Sequence, residues 1–251
     1  MDLPLFAVVD LETSGLSTRR NRILQIGLVT VDAQGAVVDE WSTLVRLRWP
    51  LQRVGPTAVH GITRASLRGA RGLDEALDEL GRRVDGALFT AHNTGFDSAF
   101  LLRAIRRRAA DDPLRRGLEQ RLCTLRLSQR LDPDRELSHR LGDLCVRYGV
   151  QLDRPHDALA DAAATAAVLP PLRAAHAIRD AEGLRPFLDD PRVSRSRGSG
   201  RAFGRRVRRL VRRVRGRRPR RPGRDAPTGA PASDRSTPAA SPPSTPPARP
   251  A

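Results

Sequence analysis

Ten residues near the start of the chain, Phe6-Ala7-Val8-Val9-Asp10-Leu11-Glu12-Thr13-Ser14-Gly15, restrict its fold more than any other stretch. Phe6 to Val9 is an unbroken apolar run, the pattern of a strand buried on both faces. Asp10 and Glu12 follow, two residues apart. Strand side chains alternate, so both carboxylates fall on one face. Two adjacent anions at the end of a buried strand repel each other and lose hydration. A divalent cation removes that cost. Taken alone, the pair better fits a strand that ends in a polar turn, and what overturns that reading lies downstream.

A second strand is expected over Ile23–Val31, a turn at Asp32-Ala33-Gln34-Gly35 and a third strand over Ala36–Val45, together an antiparallel meander. Trp41 and Trp49 flank its end; core packing is their expected role and base stacking the alternative. Pro56–Thr63 reads as a short helical piece broken at Gly61. Leu73–Val84 has apolar residues at 73, 76, 77, 80 and 84, the spacing of an amphipathic helix. Ala87–Ala91 reads as a fourth strand, followed by a helix over Phe96–Ala109 with Asp97 in its first turn. Leu122–Thr124 reads as a fifth strand that leads into a short helix through Leu131. Ser138 is the expected cap of a helix ending at Tyr148-Gly149. The alanine-rich stretch Asp157–Val168 predicts a helix stopping near Pro170-Pro171, and a last helix is expected over Leu172–Ala181. Strands first, then strands alternating with helices, predict an α/β domain with a mixed sheet.

Charge divides the 251 residues sharply. Residues 1–191 carry 27 Arg against 26 acids, whereas residues 192–251 carry 18 Arg against Asp225 and Asp234. The chain holds no Lys, so surface Arg is partly a matter of compositional bias. We expect a globular domain over residues 1–182 and, over 183–251, a disordered tail that is Arg-rich and then Pro-, Ala- and Ser-rich. Within it Phe203, Val207, Leu210, Val211 and Val214 recur at helical spacing. They fit either a solvated charge run or a cationic helix that contacts nucleic acid or an anionic surface. Cys123 and Cys145 are too few for a disulfide scaffold and lie among apolar residues, as core side chains do. No basic leader with a long apolar run is evident, and no apolar stretch nears the ~20 residues that span a bilayer, so the expected location is cytoplasmic.

Four acids are expected to meet at one edge of such a sheet: Asp10, Glu12, Asp97 and Asp161. Magnesium prefers oxygen ligands, and a pair of such ions ~4 Å apart can clamp the attacking and leaving oxygens of a phosphodiester. His156, five residues before Asp161, falls in the loop preceding that helix. An imidazole with an ordinary pKa of ~6.5 suits a general base at neutral pH.

Three segments in order, Val9-Asp10-Leu11-Glu12-Thr13-Ser14-Gly15, His92-Asn93-Thr94-Gly95-Phe96-Asp97 and His156-Asp157-Ala158-Leu159-Ala160-Asp161, resemble the motifs of the DEDDh 3′–5′ exonuclease superfamily. The similarity leans to the proofreading (epsilon) subunit of bacterial DNA polymerase III and its stand-alone relatives. Val59-His60-Gly61-Ile62-Thr63 matches a further segment of that group. The resemblance covers roughly residues 4–170 and implies a ribonuclease H-like fold and metal-dependent 3′–5′ hydrolysis of single-stranded nucleic acid, DNA ahead of RNA. It implies that Asp10, Glu12, Asp97 and Asp161 hold two Mg²⁺ or Mn²⁺ ions and that His156 deprotonates the attacking water. It implies that Thr13, His60, Ile62, His92, Asn93 and Phe96 line the pocket of the terminal nucleotide. RNA end-trimming is the alternative within the enzyme class. A nucleic-acid-binding accessory subunit of a polymerase is the alternative outside it.

Overall fold

The apolar run forms strand β1 (Phe6–Thr13), which lies inside the sheet and is buried along nearly its whole length. The computed structural model describes residues 2–189, so most of the expected tail, including the Phe203–Val214 stripe, lies outside the described residues. β2 (Ile23–Val31) and β3 (Val37–Leu44) complete the expected antiparallel meander. On its other side β1 pairs in parallel with β4 (Leu88–Ala91), and β4 with β5 (Arg121–Cys123). A two-residue strand, β6 (Leu188–Asp189), closes the edge antiparallel to β5. The order β3-β2-β1-β4-β5-β6 is a mixed sheet. Parallel neighbours need crossovers, and helices supply them. α1 (Thr57–His60) and α2 (Leu73–Val84) connect β3 to β4; α3 (Thr94–Ala104) and α4 (Pro113–Gly117) connect β4 to β5. α5 (Thr124–Arg130), α6 (Leu141–Tyr148), α7 (Ala158–Ala175) and α8 (Ala181–Leu184) separate β5 from β6.

The two faces of β1 follow its alternation. Ala7, Val9 and Leu11 join the core beneath α2 and α3, with Leu77, Leu80, Phe100 and Leu101. Phe6 and Val8 join the core beneath α7, with Val29, Val31, Ala162, Val168, Leu169 and Leu172. Asp10 and Glu12 continue this second row, so the acids belong to the face that α7 covers. Alanines along α7 keep the helix close to the sheet.

Five expectations change. α7 does not stop at Pro170-Pro171 but runs through both to Ala175, and it absorbs the start of the expected last helix. An interior proline costs ~3 kcal/mol or more. Here Leu169 and Leu172 are wholly buried, Arg173 stacks on Phe6 and donates to Ala33 O, and Gly35 packs on the ring of Pro170. The α3 helix begins two residues early and ends at Ala104. Beyond it the buried Ile105 turns the chain, and Arg115 takes the carbonyls of Ile105 and Arg108. Ser138 caps nothing; Arg140 precedes α6, and the Ser138 hydroxyl donates to the Asp143 side chain. Trp49 is 60 % exposed, in contrast to Trp41, which is half-buried against the α2 core under Arg83. Finally, the expected boundary at 182 falls inside α8, and the sheet takes in residues up to Asp189. Both cysteines are free and buried. Among the described residues, no helix is long and apolar enough to cross a membrane.

Candidate metal and nucleotide site

Strand register builds the floor of the site. Asp10 stands opposite Gly27 and Glu12 opposite Gln25 across the β1–β2 ladder, all on the α7 face. A Cβ at Gly27 would lie 2.2 Å from Ala158 O, so only glycine lets the first turn of α7 sit directly on the sheet. Gln25 then fastens that turn. Its Oε1 accepts the Ala158 N–H at 3.3 Å, and its Nε2 donates to Asp157 Oδ2 at 3.3 Å and to Ser42 Oγ at 3.3 Å. Asp157 caps the helix by accepting the Ala160 N–H at 3.1 Å.

With its first turn fixed, α7 delivers Asp161 over the acids of β1. His156, exposed and with a φ of +68°, bends back so that its N–H donates to Asp161 Oδ2 at 3.1 Å. Glu12, His156 and Asp161 each present a ligand atom within 4.8 Å of the others. The fourth acid comes from the opposite direction. Asn93, in the left-handed region at φ +80°, precedes α3, and Asp97 in the first turn is 2 % exposed and accepts the Leu11 N–H.

Electrostatics shows how unfavourable this grouping is without a cation. Burial drives the Asp10 carboxyl well above the usual carboxylate range, and the charges of Asp97, Asp161, Glu12 and Asp157 push it further. Glu12 is pushed up to about 8 by burial and then by Asp161, Asp97 and Asp157. Asp97 is also pushed up to about 8 by burial, although its own N–H and that of Leu11 oppose the rise. Asp161 is raised by burial, with partial relief from His156. At neutral pH such a cluster must hold protons or bind cations. An all-carboxylate set with one imidazole beside it fits a hard divalent ion such as Mg²⁺ or Mn²⁺.

The remaining expected site residues divide. Thr13 follows Glu12 and donates to Gly15 O at 2.9 Å. His60 ends α1 and is buried; Ile62 N–H donates to its Nδ1 at 3.0 Å, which places the proton of the neutral ring on Nε2. Its pKa is lowered first by burial, with the charge of His156 adding to the effect. Ile62 packs in a small core cluster with Leu24 and Leu67. Phe96 lies half-buried beside Phe100, ring centroids 5.0 Å apart. His92 is turned elsewhere: Nε2 meets His139 O and Nδ1 meets Thr124 Oγ1, both at 3.0 Å. Burial lowers its pKa to about 4, so the neutral ring donates to the carbonyl and accepts from the hydroxyl. It braces the end of β4 against α5. Sequence reasoning missed Gln25, Gly27 and Asp157 as site residues. A glycine inside an apolar strand and an Asp just before an alanine run were available signals for two of them; for Gln25 there was none.

A family model described as Exonuclease (RNase_T) matches residues 7–169. A Mycobacterium tuberculosis protein named for a bifunctional exonuclease/endonuclease is 39 % identical over 173 residues, covering 65 % of this chain and 26 % of its own length. A PolC-type DNA polymerase III of Staphylococcus aureus is 32 % identical over 163 residues, covering 64 % of this chain and 11 % of its own. The chain therefore spans at most about a quarter of these relatives. Among solved structures, E. coli exonuclease I in complex with a dT13 oligonucleotide superposes with a TM-score of 0.60 at 19 % identity, covering 70 % of this chain and 42 % of the other. That likeness concerns the fold, which is ribonuclease H-like.

Proposed function

Starting from a chain that belongs to the RNase_T exonuclease family, we propose that it removes nucleotides from the 3′ end of single-stranded DNA by metal-dependent phosphodiester hydrolysis. One observation carries the reading: Asp10, Glu12, Asp97 and Asp161 gather with all four carboxyls raised, Glu12 and Asp97 buried and Asp10 and Asp161 half-buried, with the exposed His156 beside Glu12 and Asp161. The four acids would hold two Mg²⁺ or Mn²⁺ ions. When bound, these ions polarise the scissile phosphate and stabilise the charge on the attacking and leaving oxygens.

The chain's own groups do the rest. His156 stands at the open side of the cluster, where its imidazole accepts the proton of the attacking water. Its backbone N–H to Asp161 ties the base to the acid set. Asp157, through the cap and Gln25, keeps the helix start from drifting off the strand. Thr13, His60, Ile62, His92, Asn93 and Phe96 remain our assignment for the terminal-nucleotide pocket, with Ile62 and His92 acting through packing. Residues 1–182, extended to Asp189, form the catalytic domain, and the basic segment beyond supplies attraction to phosphate backbones. PolC-type relatives favour DNA over RNA and are consistent with a polymerase partner. The test offers purified protein end-labelled single-stranded DNA, duplex DNA with a mismatched 3′ end, and short RNA, each with Mg²⁺ and with EDTA. Faster Mg²⁺-dependent loss of DNA supports the reading; faster loss of RNA reassigns the substrate, and no loss refutes it.

A further inference from the structure

Between β3 and α2 the chain has a charge unlike any other part of the domain. Residues 41–73 contain six Arg and no acid, whereas the rest of residues 2–189 holds 21 Arg against 25 acids. Little of this charge is neutralised. Arg46, Arg48, Arg53 and Arg68 form no ion pair with a described residue; Arg71 meets Glu75 only at 3.7 Å, with both side chains exposed. In the middle of this stretch stands Trp49, 60 % exposed, with Leu51 at 95 %. An exposed indole forgoes a large burial gain.

The indole is not on a loose tip. Gln52 N–H donates to Trp49 O at 3.1 Å, Trp49 N–H donates to Gln52 Oε1 at 3.2 Å, and the Arg64 guanidinium donates to Gln52 O. On either side Leu47 and Val54 anchor the loop in the cluster of Leu24, Ile62 and Leu67. Arg48 covers the indole at 5.5 Å from the ring centroid. The loop then packs on the turn that follows β1, beside the acid cluster. Gly55, at φ +91°, packs so closely on Ser14 that a Cβ would lie 2.4 Å from Ser14 O, two residues beyond Glu12. Pro56 starts α1, whose His60 feels the charge of His156.

We infer that the Trp49 loop is the surface on which the single strand lies as it approaches the acid cluster, with a base stacked on the indole and phosphates on Arg46, Arg48 and Arg53. Three observations meet here: positive charge without ion-pair partners among the described residues, an exposed indole on a hydrogen-bonded turn, and continuity with the site. Every base has a π-face, so stacking of this kind binds strands without reading sequence. It requires a base free of its partner, and so selects unpaired ends over duplex. The inference rests on the nuclease reading above and adds where the strand upstream of its 3′ nucleotide is held.

The test separates bases from phosphates. The full-length protein in EDTA, which prevents turnover, is titrated with dT12 and with an abasic strand of equal length, following tryptophan emission and, separately, anisotropy of a dye on the strand. We expect dT12 to quench emission and the abasic strand not to. Trp49→Leu should abolish the quench and weaken dT12 binding about 5- to 100-fold, the usual range for one stacked base. Its affinity for the abasic strand should stay within about twofold. Arg48→Ser with Arg53→Ser should weaken both strands and flatten the salt dependence. If both strands bind the wild type equally and Trp49→Leu changes neither, the stacking surface is wrong while the nuclease reading stands. If neither strand binds, both are wrong.

Discussion

Replacing Asp97 by Asn should inactivate the protein and, without metal, make it more stable. Asp97 is buried and its carboxyl is pushed up to about 8, whereas in the unfolded chain it returns to the ordinary range near 3.8. Between those values the folded state holds the proton more tightly than the unfolded state. Stability therefore falls as pH rises through this window and is recovered on acidification. Each tenfold gain in proton affinity corresponds to ~1.4 kcal/mol, so a carboxyl raised from near 3.8 to about 8 sets a ceiling of ~5 kcal/mol at pH 8. Asp10 and Glu12, which feel the Asp97 charge, adjust when it is neutral, and ~2–5 kcal/mol is the working range. An amide removes the ionisation but still accepts the Leu11 N–H. For a domain of this size the gain corresponds to a rise in Tm on the order of 10 °C. Thermal melts in EDTA at pH 8 and pH 4.5 would show it: the variant melts higher at pH 8, and the difference shrinks at pH 4.5. Magnesium should raise the wild-type Tm by more than that of the variant, which loses at least one ion, since an ion that binds only the folded state at 100 times its Kd contributes ~2.7 kcal/mol. Equal melting of the two proteins at pH 8 in EDTA would refute the electrostatic account.

Three further changes probe other parts of the argument. Gly27→Ala forces a methyl to within 2.2 Å of Ala158 O, so α7 must lift; we expect a stability loss of ~1–3 kcal/mol by denaturant titration and a kcat reduced at least tenfold. Full activity would show that the close seat of α7 is unnecessary. His156→Ala should keep metal and strand binding but lower kcat about 10²- to 10⁴-fold and remove the histidine step from the pH–rate profile; retention of that step assigns the base elsewhere. Ending the chain at Asp189 removes all 18 Arg of residues 192–251, and should weaken strand binding at low salt and flatten its salt slope without changing kcat. An unchanged slope would assign the basic segment to another partner.

What the sequence revealed, and what it hid, follows from the range of the interactions. β1, β2 and α2 were legible because their periodicity is local and their faces are buried. The places of the four acids and His156 in the fold were legible, since β1 and the starts of α3 and α7 follow local patterns; their roles remain our proposal. Gln25 was invisible as a site residue because its role exists only through the cross-strand register with Glu12 and the approach of Ala158 from 133 residues away. β6 is two residues long and held by pairing with Arg121 and Leu122, so no pattern could announce it. α4 carried a signal that went unread: Asp112-Pro113, a capping acid before a proline at the first helical position. Pro170-Pro171 misled because burial of Leu169 and Leu172 outweighed a local rule. Trp49 misled in the opposite sense, since an indole is expected inside and this one faces solvent among arginines.

The central claim is that Asp10, Glu12, Asp97 and Asp161 bind divalent ions together. Manganese binding followed by electron paramagnetic resonance, with a nucleoside monophosphate present, measures it without reliance on turnover. The account predicts two Mn²⁺ ions per chain for the wild type and loss of at least one in both Asp10→Asn and Asp97→Asn. Wild-type protein that binds no Mn²⁺, or variants that bind as many ions as the wild type with equal affinity, would contradict it.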